Sequence, residues 1–226
     1  FASSHFTWLS TTNGTKLVKK TFINVSDTLT MVGSAELQDA VAGVCNVPSQ
    51  KPYVLVNRGQ TIARLDANAD TIEVQATTGG LCSILTVDWQ AERVYYGITG
   101  SYQIRYRNLD LASPATVSLP KALRCFVCDL AEPGSIWILY ADNTVAKLAI
   151  SGVATTVAGP TLLPTVGNAR GIAYDTSSRS VWAWDAVAVY RLDREAEISE
   201  TYDLWQNVAG VVPCSYLADV EDVLYP

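Results

Sequence analysis

The feature that most constrains this chain is a repeat. Residues 87–110, VDWQAERVYYGITGSYQIRYRNLD, read as a strand end, a polar turn around Trp89, a second strand at Val94-Tyr95-Tyr96, a second turn at 97–101 and a third strand at 103–109. Residues 81–87 supply the apolar first strand and 115–119 a fourth. Related stretches recur at roughly 40-residue intervals, the period of a supersecondary unit that cannot bury its apolar face alone.

Residues 43–66 repeat the order, with a strand through Cys45, a turn at Pro48-Ser49, a strand at 53–56 and a third at 61–65. Residues 123–149 do so again around Asp129, Ile136-Trp137 and a turn at Asp142-Asn143. Residues 169–193 follow with Asp175, Val181-Trp182 and a turn at Asp185. Residues 211–218 resemble a first strand, Asp219 opens a turn, and residues 223–225 begin a second. Phe6–Leu9 and 16–24, joined at Asn13-Gly14, match the missing third and fourth strands, and Asn-Gly is a strong hairpin signal. The expected fold is therefore all-β: a five-bladed β-propeller of four-stranded antiparallel blades in a single domain, 1–226. The blades fall at 42–80, 81–121, 122–167, 168–210, and 211–226 plus 1–26, so that both termini close one blade.

Asp88, Asp129, Asp175 and Asp219 recur where a first strand meets a second. Aspartate there accepts backbone N–H groups two residues on and fixes the turn, so a ring of metal ligands is not expected. Cys45, Cys82, Cys125 and Cys214, with Gly171 in the remaining blade, read as one inner-strand position, reduced and buried. Cys125-Phe126-Val127-Cys128 is a single CxxC with no second half, and His5 is the only histidine. No metal, no cofactor and no catalytic residue are expected. The second-strand tryptophans, Trp137, Trp182 and Trp184, read as core, whereas Trp8, Trp89 and Trp205 are candidates for exposed anchors.

Arg124 and Arg170 precede inner-strand positions on adjacent blades, beside Asn168. The three form a candidate binding site at one mouth of the channel, where guanidiniums grip an acidic group or pair with Asp39 or Glu36. The long connection 157–169, with Gly159-Pro160, Pro164 and Gly167, leads to the same mouth.

Composition narrows the partners. With 16 basic and 22 acidic residues, a net charge of -6 and a pI of about 4.8, a nucleic-acid surface is not expected. No apolar run approaches the roughly 18 residues that span a bilayer. The sequence begins at Phe1, as expected where a leader has been removed or where the chain is a piece of a larger one. Asn13-Gly14-Thr15 and Asn24-Val25-Ser26 are N-glycosylation sequons, which points to an extracellular or surface location.

The anchor unit resembles the YWTD repeat of low-density-lipoprotein-receptor-type propellers. The matching residues are Asp88-Trp89, Val94-Tyr95-Tyr96-Gly97, and Ile104 through Leu109-Asp110. Tyr174-Asp175, Val181-Trp182-Ala183, Val189 through Leu192-Asp193, and Ile62 through Leu65-Asp66 match in part. The motif's Tyr-Trp-Thr-Asp is Tyr95-Tyr96-Gly97-Ile98 here. NHL-type propellers share much of the pattern. The resemblance implies a rigid platform that binds a protein partner or a neighbouring domain of a larger chain. The expected function is thus a non-catalytic protein-interaction or structural module. A lectin-like propeller with a glycan ligand is the alternative, and a propeller hydrolase comes last.

Overall fold

The computed structural model describes residues 3–11, 14–22, 30–37, 39–46, 49, 51–67, 71–175 and 178–203. Among them every regular element is a strand. An antiparallel three-stranded sheet comes first, β1 (Ser3–Thr11), β2 (Gly14–Phe22) and β3 (Thr30–Leu37). Four four-stranded antiparallel sheets follow. They are β4 (Ala42–Asn46), β5 (Lys51–Val56), β6 (Thr61–Leu65) and β7 (Ile72–Thr77); then β8 (Ile84–Asp88), β9 (Arg93–Gly97), β10 (Gln103–Asn108) and β11 (Ala115–Ser118). The last two are β12 (Leu123–Cys128), β13 (Ser135–Tyr140), β14 (Thr144–Ile150) and β15 (Ala154–Leu162), and β16 (Gly171–Asp175), β17 (Ser180–Trp184), β18 (Ala188–Leu192) and β19 (Ile198–Asp203). Each is a simple meander in chain order.

The chain divides into two compact units, Phe1–Ile98 with Ile104–Thr116, and Thr99–Gln103 with Val117–Pro226. In the first, β4 lies beside β8, and Tyr53, Leu55, Ile62, Val87, Val94 and Tyr96 share one core. In the second, β12 lies beside β16, and Trp137, Leu139, Val145, Ile172, Val181 and Tyr190 share another. β13, SIWILY, is buried at all six positions because neighbours cover both its faces. Each such aliphatic side chain contributes about 1.5–3 kcal/mol. The fourth strands β7, β15 and β19 are instead largely exposed and rich in threonine, glutamate and other polar residues.

Several expectations change. The described residues hold four four-stranded sheets, not five. The N-terminal region supplies three strands, since Thr30–Leu37 pairs with β2 from Thr15↔Leu37 to Thr21↔Thr30. The sequence TMVGSAEL hides this strand, because glycine and serine dilute its alternation. The β1–β2 connection falls at residues 12 and 13, after the pair Thr11↔Gly14. Asn13, Asn24, Trp205, Cys214, Asp219 and the half-unit at 211–226 lie outside the described residues.

The cysteines are not equivalent. Cys82 precedes β8, Cys125 is the third residue of β12 opposite Leu139, and Cys45 is next to last in β4 opposite Pro52. A bulge between Leu123 and Cys125 contributes to the offset. Cys82 and Cys125 are free thiols, and burial pushes Cys125 up to about 12. Trp89 is half-buried against the first unit's core instead of standing free as an anchor. The connection 157–169 is shorter than expected: β15 runs through Gly159-Pro160 to Leu162, because an edge strand tolerates a proline.

Candidate functional site

The shortened loop, residues 163–170, leads from the outermost strand of one sheet to the innermost strand of the next. Pro164 cannot donate a ladder hydrogen bond, and the chain leaves the sheet there. Two turns of the second unit hold it. In the β13–β14 turn Asn143, at φ 66°, accepts from Leu163 N–H through its carbonyl (3.1 Å) and from Ala169 N–H through Oδ1 (2.9 Å). Its Nδ2 donates to the Gly167 carbonyl at 3.1 Å. In the β17–β18 turn Asp185 Oδ1 accepts from Val187 and Ala188 N–H, both at 2.7 Å. Its Oδ2 accepts from Val166 N–H at 3.1 Å. The Tyr190 hydroxyl lies 2.9 Å from both Asp185 Oδ2 and the Pro164 carbonyl, and shares its one proton between them.

Asp185 is fully buried. Burial pushes its carboxyl up, but the Val187, Ala188 and Val166 N–H groups and the Tyr190 hydroxyl outweigh that and hold it below the ordinary carboxylate value. The Tyr190 hydroxyl is raised, first by burial and then by the Asp185 charge beside it. The loop is fixed, yet it shows apolar side chains to solvent. Val166 is 74% exposed, Leu162 at its start 66%, and Val187 in the supporting turn 41%.

Asn168 and Arg170 lie on this loop and are exposed. Arg170 N–H donates to the Trp184 carbonyl at 2.6 Å. The next residue must be glycine, because a Cβ on Gly171 would lie 2.2 Å from the Trp184 ring. Arg124, on the neighbouring inner strand β12, is half-buried. Its Nη2 donates to the Ala141 carbonyl at 3.0 Å, while its Nε is buried with no partner among the described residues. The two arginines thus occupy the starting ends of adjacent inner strands. Asp39, considered as a partner for them, pairs with Arg58 at 3.4 Å.

At the other end of these sheets is an ionic cluster with Lys147 and Asp129 buried and Glu132 at its exposed edge. Lys147 Nζ lies 2.6 Å from Asp129 Oδ2 and 2.7 Å from Glu132 Oε2. Trp137 Nε1 donates to Asp129 Oδ2 at 3.2 Å, and Lys147 sits 5.5 Å over the Trp137 ring. Burial raises the Asp129 carboxyl, but Lys147, the Tyr174 hydroxyl and Ala131 N–H outweigh it and hold the group low. Asp129 Oδ1 also accepts from Ala131 N–H, as Asp88 Oδ1 does from Gln90 and Ala91, which is the turn-fixing role expected of them. Among the described residues no three His, Cys, Asp or Glu side chains are grouped to hold a metal.

No family model matches the chain, and no curated protein matches it. Among solved structures it is similar to the β-propeller domain of Cps50 (Swd1) from Myceliophteria thermophila, with a TM-score of 0.63 at 10% identity, over 77% of this chain and 58% of that one. It is also similar to the hydrazine synthase of Kuenenia stuttgartiensis, with a TM-score of 0.59 at 8% identity, over 75% of this chain and 50% of that one. The chain therefore spans between half and three-fifths of the length of these two structures. At such identities the likeness is one of fold: this is an all-β chain of β-propeller type, built from four-stranded antiparallel sheets.

Proposed function

We propose that the chain is a non-catalytic interaction module. It docks a protein partner, or a neighbouring domain of a larger assembly, on the loop at residues 163–170. The observation that carries this reading is a backbone pinned by Asn143, Asp185 and Tyr190 beneath a valine that is 74% exposed. Ordering a loop on binding costs affinity, and a loop already ordered avoids that cost. Nothing in the pinned geometry needs Val166 to face water, whereas a partner's apolar side chain would gain from it. Arg170 and Asn168 supply a charged, polar rim, so the partner segment carries an apolar residue with a carboxylate nearby.

The same reading assigns the module to an extracellular or surface assembly, resting on the sequons at Asn13 and Asn24. Secretion from a eukaryotic host should add mass that an N-glycosidase removes and that Asn13→Gln reduces.

The docking reading is tested by selecting binders from a random peptide library on the immobilised protein. Each is then scored against Val166→Asp and Arg170→Glu. Selected peptides should share an apolar-acidic pattern and lose at least tenfold in affinity to both variants. Binders that ignore both substitutions would overturn the assignment.

A further inference from the structure

Two arginines of this acidic chain stand together with no carboxylate lining their groove among the described residues. Arg105 and Arg107 are two apart on β10, so their side chains leave the same face of the strand. Both line a groove of about 290 Å³ in the first unit, with Thr77, Tyr96, Pro114 and Thr116 among the other walls and no aspartate or glutamate. Among the described residues neither arginine forms an ion pair, although Arg58, Arg64 and Arg191 each do.

The guanidiniums are held in place by neutral acceptors. Arg105 Nη1 donates to the Thr78 carbonyl at 2.9 Å. Arg107 donates through Nη2 to the Thr77 carbonyl (2.9 Å), through Nη1 to the Leu111 carbonyl (2.8 Å), and through Nε to the Tyr96 hydroxyl (3.1 Å). The Gly79-Gly80 bend closes over Arg105. A Cβ on Gly80 would sit 3.1 Å from Nη1 and 2.8 Å from Ile98 Cδ1, and Gly79 has a φ of +74°. Side chains there would push the main chain off the guanidinium.

This arrangement leaves donors over. A guanidinium carries five N–H groups, and three of those on Arg107 are engaged. Tyr96 accepts from Arg107 Nε, so its own O–H proton is free to be donated. The carbonyls orient the cations without cancelling their charge. A carboxylate is satisfied by one bidentate guanidinium, whereas a phosphate has three terminal oxygens and up to two charges to share between two. Pro114 and Ala115 add an apolar wall beside the cations. We propose that this groove binds the phosphate monoester group of a small organic molecule. Arg105, Arg107 and the Tyr96 hydroxyl hold the phosphate, and the Pro114-Ala115 wall takes the organic part.

The test is a titration of the full chain at low ionic strength, following the arginine Nε–H signals by NMR, with phenyl phosphate, inorganic phosphate and benzoate as separate probes. Phenyl phosphate should shift Arg105 and Arg107 saturably. Inorganic phosphate should bind more weakly and benzoate at least tenfold more weakly. Thr116→Asp, an exposed change on β11, should weaken phenyl phosphate at least tenfold without moving the thermal midpoint. Arg105→Gln should also weaken phenyl phosphate at least tenfold. The proposal is overturned by any of four results: no saturation with phenyl phosphate, benzoate binding as well, inorganic phosphate binding as well, or an affinity unchanged by Thr116→Asp.

Discussion

Asp129 and Asp185 stand at opposite ends of the second unit's sheets, and each fixes a turn with one carboxylate oxygen. They differ in what the second oxygen does. Asp129 Oδ2 meets Lys147 and Trp137 inside the protein, where the lysine side chain is 4% exposed. Asp185 Oδ2 reaches out of its own sheet to Val166 N–H and fixes a loop whose side chains face water. One end of the unit uses a buried charge to close itself. The other uses a buried charge to hold a surface open. A repeat fold lets the two ends diverge in this way, because the strands between them keep the turns in register whatever the turns carry.

If the comparison is right, the closed end is the more costly to break. Lys147→Met removes the cation from a carboxylate whose side chain is 5% exposed, and losing one partner of a buried pair costs about 3–5 kcal/mol. Urea unfolding should report that loss as a lower midpoint. Adding Asp129→Asn removes the stranded charge, so the double variant should regain at least about 1 kcal/mol, within the usual range for coupled contacts. A Lys147→Met protein as stable as the parent would mean that the cluster seals nothing.

The open end should respond less in stability and more in local order. Asp185→Ala leaves Val187, Ala188 and Val166 N–H without their acceptor. Unsatisfied donors of this kind cost about 1–3 kcal/mol in all where water reaches some of them. Hydrogen exchange should speed up at Val166 on the loop and at Val187 in the turn, whose amides both donate to Asp185. Equal acceleration across β17 and β18 would show that Asp185 supports the sheet and not the loop.

The difference between the ends was only half legible in the sequence. The repeat gave the four sheets because strand periodicity and turn aspartates are local signals: Asp88, Asp129 and Asp175 all fell where first strands end. Asp142-Asn143 and Asp185 were equally visible as turns. Their hold on residues 163–170 was not, since Asn143 meets Gly167 and Ala169 across 24 and 26 residues and no period announces it. Arg124 and Arg170 stand at the starting ends of adjacent inner strands, but no spacing shows the tie of Arg124 to the Ala141 carbonyl. The cysteines depart from one shared inner-strand position for a related reason. A bulge at Leu123/Cys125 and a start of β8 after Cys82 move equivalent residues out of step, which spacing alone does not show. Lys147 was missed because its strand, TVAKLAI, reads as an outward-facing lysine on an otherwise apolar strand.

Acid should weaken both ends in the same direction. Asp129 and Asp185 are each held below the ordinary carboxylate value of 3.8. A carboxyl lowered by folding binds its proton more readily in the unfolded chain, so its contribution is fully present above the unfolded value and is lost as pH falls. The urea midpoint should therefore be level between pH 7 and about 5 and fall steadily below about 4. Asp185→Ala should make that fall shallower. A midpoint that rises on acidification, or a slope unaltered in the variant, would contradict the assignment of these two groups.

The smallest effect on stability should come from the residue most important to the proposed docking. Val166 is 74% exposed, and its backbone, not its side chain, holds the loop through Asp185. Val166→Ser keeps that N–H and removes only apolar surface already in water, so the unfolding free energy should move by no more than about 0.5 kcal/mol. Exchange at the residue 166 amide should stay as slow as in the parent. Binding should not be spared: losing a buried valine contact at the centre of an interface is worth at least about 1.4 kcal/mol, a tenfold weaker affinity for a selected apolar-acidic peptide. Val166→Ser thus separates presentation from support, because Asp185→Ala should weaken the same peptide by disordering the loop beneath it. If Val166→Ser instead destabilises the fold as Asp185→Ala does, the valine belongs to the packing of the loop, and the contrast between a closed end and an open one does not hold.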